Sequence, residues 1–113
     1  MLAFQAPVGS ATPGSSDFDV QCMLVTQQAA TEIEDKQIAL ANQVAAMFFM
    51  GRVDGAVAQG QLAGAAERAG GAIKGRPLGP MLIQCGDFMQ QRGKVHEKIG
   101  AEVEAREGRR STL

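Results

Sequence analysis

The stretch TEIEDKQIALANQVAAMFFMGRV, from Thr31 to Val53, decides the fold class. Thr31 with Glu34 three residues later has the form of a capping box, in which a hydroxyl and a carboxylate satisfy free N–H groups at the start of a helix. Behind it, Ile38, Ala41, Ala45 and Phe48 fall on one line of a helical period, and Leu40, Val44 and Met47 fall on the neighbouring line. The combined apolar stripe is broad, so this reading makes the segment the centre of the fold, packed by neighbours on more than one side. Asp54-Gly55 supplies the turn that ends it.

Outward from this helix, the flanking segments read the same way. Asp17 can cap a first helix on which Phe18, Cys22, Val25 and Ala29 share a face. After the central helix, Leu62, Ala65, Ala66 and Ala69 give a third helix from about Ala58 to Ala69. Gly60, Gly64, Gly70 and Gly71 weaken it by roughly 1 kcal/mol each at interior positions, so it is expected to be short or irregular. Lys74 to Pro80 reads as a loop, and Pro80 suits the first turn of a last helix, where its missing N–H has no partner to lose. On that helix Met81, Cys85, Phe88, Arg92, Val95, Ile99 and Glu102 trace one face, with Leu82, Met89 and Val103 beside it.

The expected architecture is therefore all-α: a small four-helix domain over residues 17–108, with a flexible arm at 1–16 and a frayed C-terminus at 109–113. The arm opens Met1-Leu2-Ala3-Phe4 and continues through Gly9-Ser10-Ala11, which resembles the tail of a secretory signal.

Composition narrows the function. Eleven Lys and Arg against twelve Asp and Glu leave a formal charge of −1, and neither Trp nor Tyr is present to stack on bases, which argues against nucleic acid as a partner. No apolar run approaches the roughly 20 residues that cross a bilayer, so membrane insertion is not expected.

Two cysteines, Cys22 and Cys85, sit on the apolar faces of the first and last helices. A bridge between them would close a long loop and stabilise the fold by roughly 4 kcal/mol in the chain-entropy model. Two separate buried thiols are the alternative. There is no CxxC pattern, and a single histidine leaves a zinc site short of ligands.

Nothing in the sequence assembles catalytic machinery. His96 lies among Lys94, Glu97 and Lys98, a solvated setting. Glu32, Glu34 and Asp35 open a helix, where the dipole accounts for them. Gly51 to Gly55 is not preceded by a strand or followed by Lys-Ser or Lys-Thr, so it is not a phosphate loop. The chain is read as a non-enzyme with no cofactor and no metal.

Three blocks carry a resemblance: Asp19-Val20-Gln21-Cys22 opening a helix, Phe48-Phe49-Met50-Gly51-Arg52-Val53-Asp54-Gly55, and Pro80-Met81-Leu82-Ile83-Gln84-Cys85 in the last helix. With this layout of helices and cysteines, the chain resembles small exported bacterial proteins around the HdeA-type acid-stress chaperones. The resemblance implies a four-helix periplasmic or secreted domain bridged from Cys22 to Cys85. It further implies a protein partner or client, homodimer formation, and loosening in acid that exposes apolar surface. Phe48, Phe49, Met50, Arg52 and Asp54 are the residues singled out for protein binding, with Leu40, Val44 and Met47 as further apolar candidates. Related helical, disulfide-bearing domains neutralise secreted toxins, so an immunity or inhibitor protein is the competing reading, and a purely structural protein is the third.

Overall fold

The structure, a computed structural model, describes the backbone of residues 11–111 and the side chains of residues 11–108. Most of the expected N-terminal arm, residues 1–10, lies outside the described residues. Four α-helices make up the fold: α1 (Ser16–Glu32), α2 (Lys36–Ala56), α3 (Leu62–Ile73) and α4 (Leu78–Ser111). A 3-10 turn at Gln59–Gln61 leads into α3, and no strand occurs among the described residues.

Local chemistry sets the helix starts. Residues 12–15 form a turn in which Ser15 N–H and Oγ both donate to the Thr12 carbonyl, and Gly14 takes a φ of +90°. The Ser15 hydroxyl then accepts from Phe18 N–H, so Ser15, and not Asp17, caps α1. At α2 the cap is Asp35, whose Oδ1 accepts from Gln37 N–H at 2.9 Å and Ile38 N–H at 3.1 Å. The expected capping box does not form, because Thr31 is still inside α1, where its hydroxyl donates to the Gln28 carbonyl. A carboxylate two to three residues from the free N–H groups serves them more directly than a hydroxyl a full turn earlier.

The centre of the fold is α1, which corrects the expectation that α2 occupies it. Phe18, Val20, Cys22, Val25 and Ala29 are buried, as are the polar Asp19, Gln21 and Thr26. This helix is enclosed because α2, α3 and α4 all pack against it. Thr26 remains satisfied there by donating its hydroxyl to the Cys22 carbonyl at 2.7 Å.

By contrast, α2 buries only Ala46, Phe49 and Val53. These lie at spacings of three and four, on a line the sequence reading did not select, while Ile38 and Ala41 of the selected line are exposed.

Three clusters hold the helices together. Phe18, Phe49, Cys22 and Cys85 join α1, α2 and α4, and Val20, Val53, Ala65 and Ala69 join α1, α2 and α3. Val25 and Met81 close the remaining corner with Ile73, Leu78 and Leu82 beside them.

The small faces of Ala65 and Ala69 fit α3 against Val20 and Val53. That burial carries α3 through Gly70 and Gly71 to Ile73, past the expected end near Ala69. Gly75, with a φ of +75°, turns the chain into α4, which begins at Leu78, two residues before Pro80. Pro80 is still within the first turn, where the missing N–H costs nothing.

Cys22 and Cys85 are bonded, with Cα atoms 5.7 Å apart, and tie α1 to α4. The last helix continues to Ser111, three residues past the expected end at Gly108.

Candidate protein-binding face

The segment between Lys36 and Arg52, fifteen residues from Gln37 to Gly51, contains no charged side chain. On a helix wrapped by neighbours this would be ordinary core chemistry. Here only one side of α2 is covered, the side that carries Ala46, Phe49 and Val53. The opposite side carries Leu40, Val44 and Met47 at spacings of four and three, with exposures of 60%, 55% and 70%. Met50 is also exposed at its margin. Single exposed aliphatic residues are common on protein surfaces, but a run of them on one uncharged helix face makes a contiguous apolar patch, which is what singles this face out as a candidate interaction surface.

One edge of this face is a shallow groove between α2 and α4. It is lined by Ala41, Asn42 and Ala45 from one side and by Gly86, Met89 and Gln90 from the other. Small side chains at Ala41, Ala45 and Gly86 keep its floor low. A second concavity, lined by Asp17, Val57, Gly60, Gln61 and Arg68 among others, is more polar. The exposed Asp17–Arg68 pair, 3.5 Å apart, stands in its lining. An ion pair in solvent contributes little, so the apolar face of α2 is the stronger candidate.

Beneath the face lies an aromatic cluster. Phe18, Phe48, Phe49 and Phe88 meet with ring centroids 5.0 to 6.4 Å apart, in mostly edge-to-face geometry. Phe49 is fully buried in it and Phe48 half-buried. Of the residues singled out for binding, Phe49 is therefore core, because its position on α2 points at α1 and the disulfide. Phe48 supports the face from below, and Met50 lies exposed at its margin, where its sulfur accepts from Gln27 Nε2 at 3.7 Å.

Arg52 also turns inward. Its Nε donates to Asp19 Oδ1 at 2.9 Å, one Nη donates to the Gly14 carbonyl at 3.4 Å, and the guanidinium lies 4.8 Å from the Phe88 ring centroid. Asp19 is only 3% exposed at its side chain and Arg52 28%. One arginine thus joins α2 to α1, the N-terminal turn and α4. Asp54, only two residues on and so on the far side of the helix, is exposed and is not the partner of Arg52. No local pattern marks the Asp19–Arg52 pair, since the two are 33 residues apart and Asp19 reads as part of a helix opening.

His96 is exposed on α4. Among the described residues no group of three or more His, Cys, Asp or Glu side chains gathers to hold a metal ion, and no helix is long and apolar enough to cross a membrane. Comparison with protein-family models, characterised proteins and solved structures finds no match to this chain.

Proposed function

We propose that this chain is a protein-binding domain of an oxidising compartment, periplasmic or secreted, which uses the outer face of α2 to take apolar segments of other polypeptides. The observation that carries the reading is the uncharged run 37–51 with Leu40, Val44 and Met47 turned to solvent. Water pays no part in stabilising such a face, and a partner's apolar side chains gain about 25 cal/mol for each Å² they cover there. The Cys22–Cys85 bond supports the compartment, because structural disulfides persist where thiols are not kept reduced.

The HdeA-like layout makes an acid-stress chaperone the specific form of this reading. In strong acid the twelve Asp and Glu no longer balance the eleven Lys and Arg, so the net charge moves from −1 to strongly positive. Self-repulsion then loosens the bundle, while the disulfide keeps α1 tied to α4. The surface offered to clients grows from the α2 face to include Phe48 and its neighbours.

Site-specific cross-linking tests the location of binding. A photoreactive residue at position 44 should cross-link to a permanently unfolded client, such as a reduced and alkylated lactalbumin, whereas the same residue at exposed Glu67 of α3 should not. Equal yields at the two positions, or none at either, would remove the α2 face from the account.

A further inference from the structure

Few side chains of this protein can react with an oxidant. Both cysteines are joined in the Cys22–Cys85 bond, and neither Trp nor Tyr is present, so no free thiol, indole or phenol competes for the reagent. What remains is the thioether of methionine, which six residues carry. Five of them lie among the described residues, and the fold grades their exposure. Met81 is buried, and Met23 and Met89 are half-buried against the cluster around the disulfide. On α2, Met50 is 42% exposed and Met47 70%.

Hydrogen bonding separates the two exposed methionines further. The Met50 sulfur accepts from Gln27 Nε2 at 3.7 Å, which engages a lone pair that an oxidant must use. Met47, the most exposed of the five, stands on the apolar row between Val44 and Met50, three residues from each. Leu40 and Val44, the other members of the row, are hydrocarbon and inert to the same reagents. Met47 is thus the member of the row whose polarity a chemical step can change. The thioether that lets methionine adapt to varied apolar partners is also the group that peroxide attacks.

We propose that Met47 is an oxidation site of this protein, and that its sulfoxide ends the apolar character of the outer α2 face and so releases polypeptide bound there. With hydrogen peroxide as oxidant, one S–O bond forms and the O–O bond breaks. The sulfur gives up two electrons, and the other peroxide oxygen leaves as water. The product sets a hydrated S=O group beside Val44, and a partner's apolar side chain that covers it strips that water without replacing its hydrogen bonds. Met47 lies outside the bundle, so the core of Phe18, Phe49 and the disulfide is untouched. The effect on binding rests on the proposed role of the α2 face, whereas the site of oxidation does not.

The test treats the full-length, disulfide-bonded protein at pH 7 with limiting hydrogen peroxide and locates the added oxygen by peptide mass mapping. Met47 should gain oxygen at least about fivefold faster than Met81, and ahead of Met50, Met23 and Met89. Retention on a phenyl column reads the apolar face whether or not a client binds. The treated wild type should elute earlier, and Met47→Leu, with a side chain of similar volume, should shift much less. Cross-linking from position 44 to reduced and alkylated lactalbumin should fall at least about threefold on oxidation of the wild type and hold in Met47→Leu. The melting temperature should not change when Met47 alone is oxidised. Oxidation of Met50 ahead of Met47, the same retention shift in both proteins, cross-linking that persists after Met47 is oxidised, or a melting temperature that falls with it would each overturn the proposal. If the untreated protein takes no client, the binding role of α2 fails, and mapping with retention still decides whether Met47 is the site that alters the face.

Discussion

Arg52 Nε lies 2.9 Å from Asp19 Oδ1, across the interface of α2 with α1, and the aspartate is almost wholly buried. A buried carboxylate is tolerated only with its partner in place, and this one is held where α1, α2 and α4 converge on Phe88. The arginine that the sequence marked for binding is thus part of what positions the apolar face of α2.

Removal of this partner should be costly. Arg52→Met leaves Asp19 without its ion pair and is expected to destabilise the fold by roughly 3 kcal/mol. Urea unfolding measures the loss. The double variant Arg52→Met with Asp19→Leu should recover most of it, because both desolvated charges are then gone; equal loss in the single and double variants would mean that packing, and not charge, is what Arg52 supplies.

The disulfide predicts a second loss. Cys22→Ala with Cys85→Ala frees the unfolded chain from a crosslink across 63 residues, and about 4 kcal/mol of stability should go with it. Intact mass without reductant should be lower by two hydrogens than after reduction. A full complement of free thiols in protein from an oxidising compartment would contradict the bridge.

The two sides of α2 should respond in opposite ways. Phe49→Ala opens a cavity among Phe18, Phe48 and Phe88 and should cost about 3–5 kcal/mol. Leu40→Ala and Val44→Ala should change stability by no more than about 0.5 kcal/mol. Comparable losses at positions 49 and 44 would show that the outer face is covered in the folded protein.

The all-helical class, the four segments and the cysteine pairing were legible because each rests on local period or on two residues of one type. Phe18, Cys22, Val25 and Ala29 were placed correctly for that reason. What failed was the ranking of helices. An apolar stripe on α2 looks the same in sequence whether neighbours wrap it or leave half of it bare, so Leu40, Val44 and Met47 could not be told from core. The helix that is enclosed, α1, carries Asp19, Gln21 and Thr26, whose polarity disguised it. The Asp35 cap was missed because Thr31 and Glu34 fitted a familiar pattern, and the extent of α3 because tertiary burial of Ala65 and Ala69 outweighs what its glycines cost.

Polypeptide binding by the outer face of α2 can be read from a client's aggregation in acid. Aggregation of an acid-sensitive dehydrogenase is followed by light scattering at pH 2–3 and at pH 7, with the oxidised wild-type protein or with the Leu40→Asp, Val44→Asp, Met47→Asp triple variant. The wild type is expected to suppress aggregation in acid, and the variant, folded and disulfide-bonded at pH 7, to lose most of that effect, because the three apolar side chains are replaced by short polar ones. Equal suppression by both proteins would place binding elsewhere, and aggregation that proceeds alike with and without the wild type would contradict the chaperone reading itself.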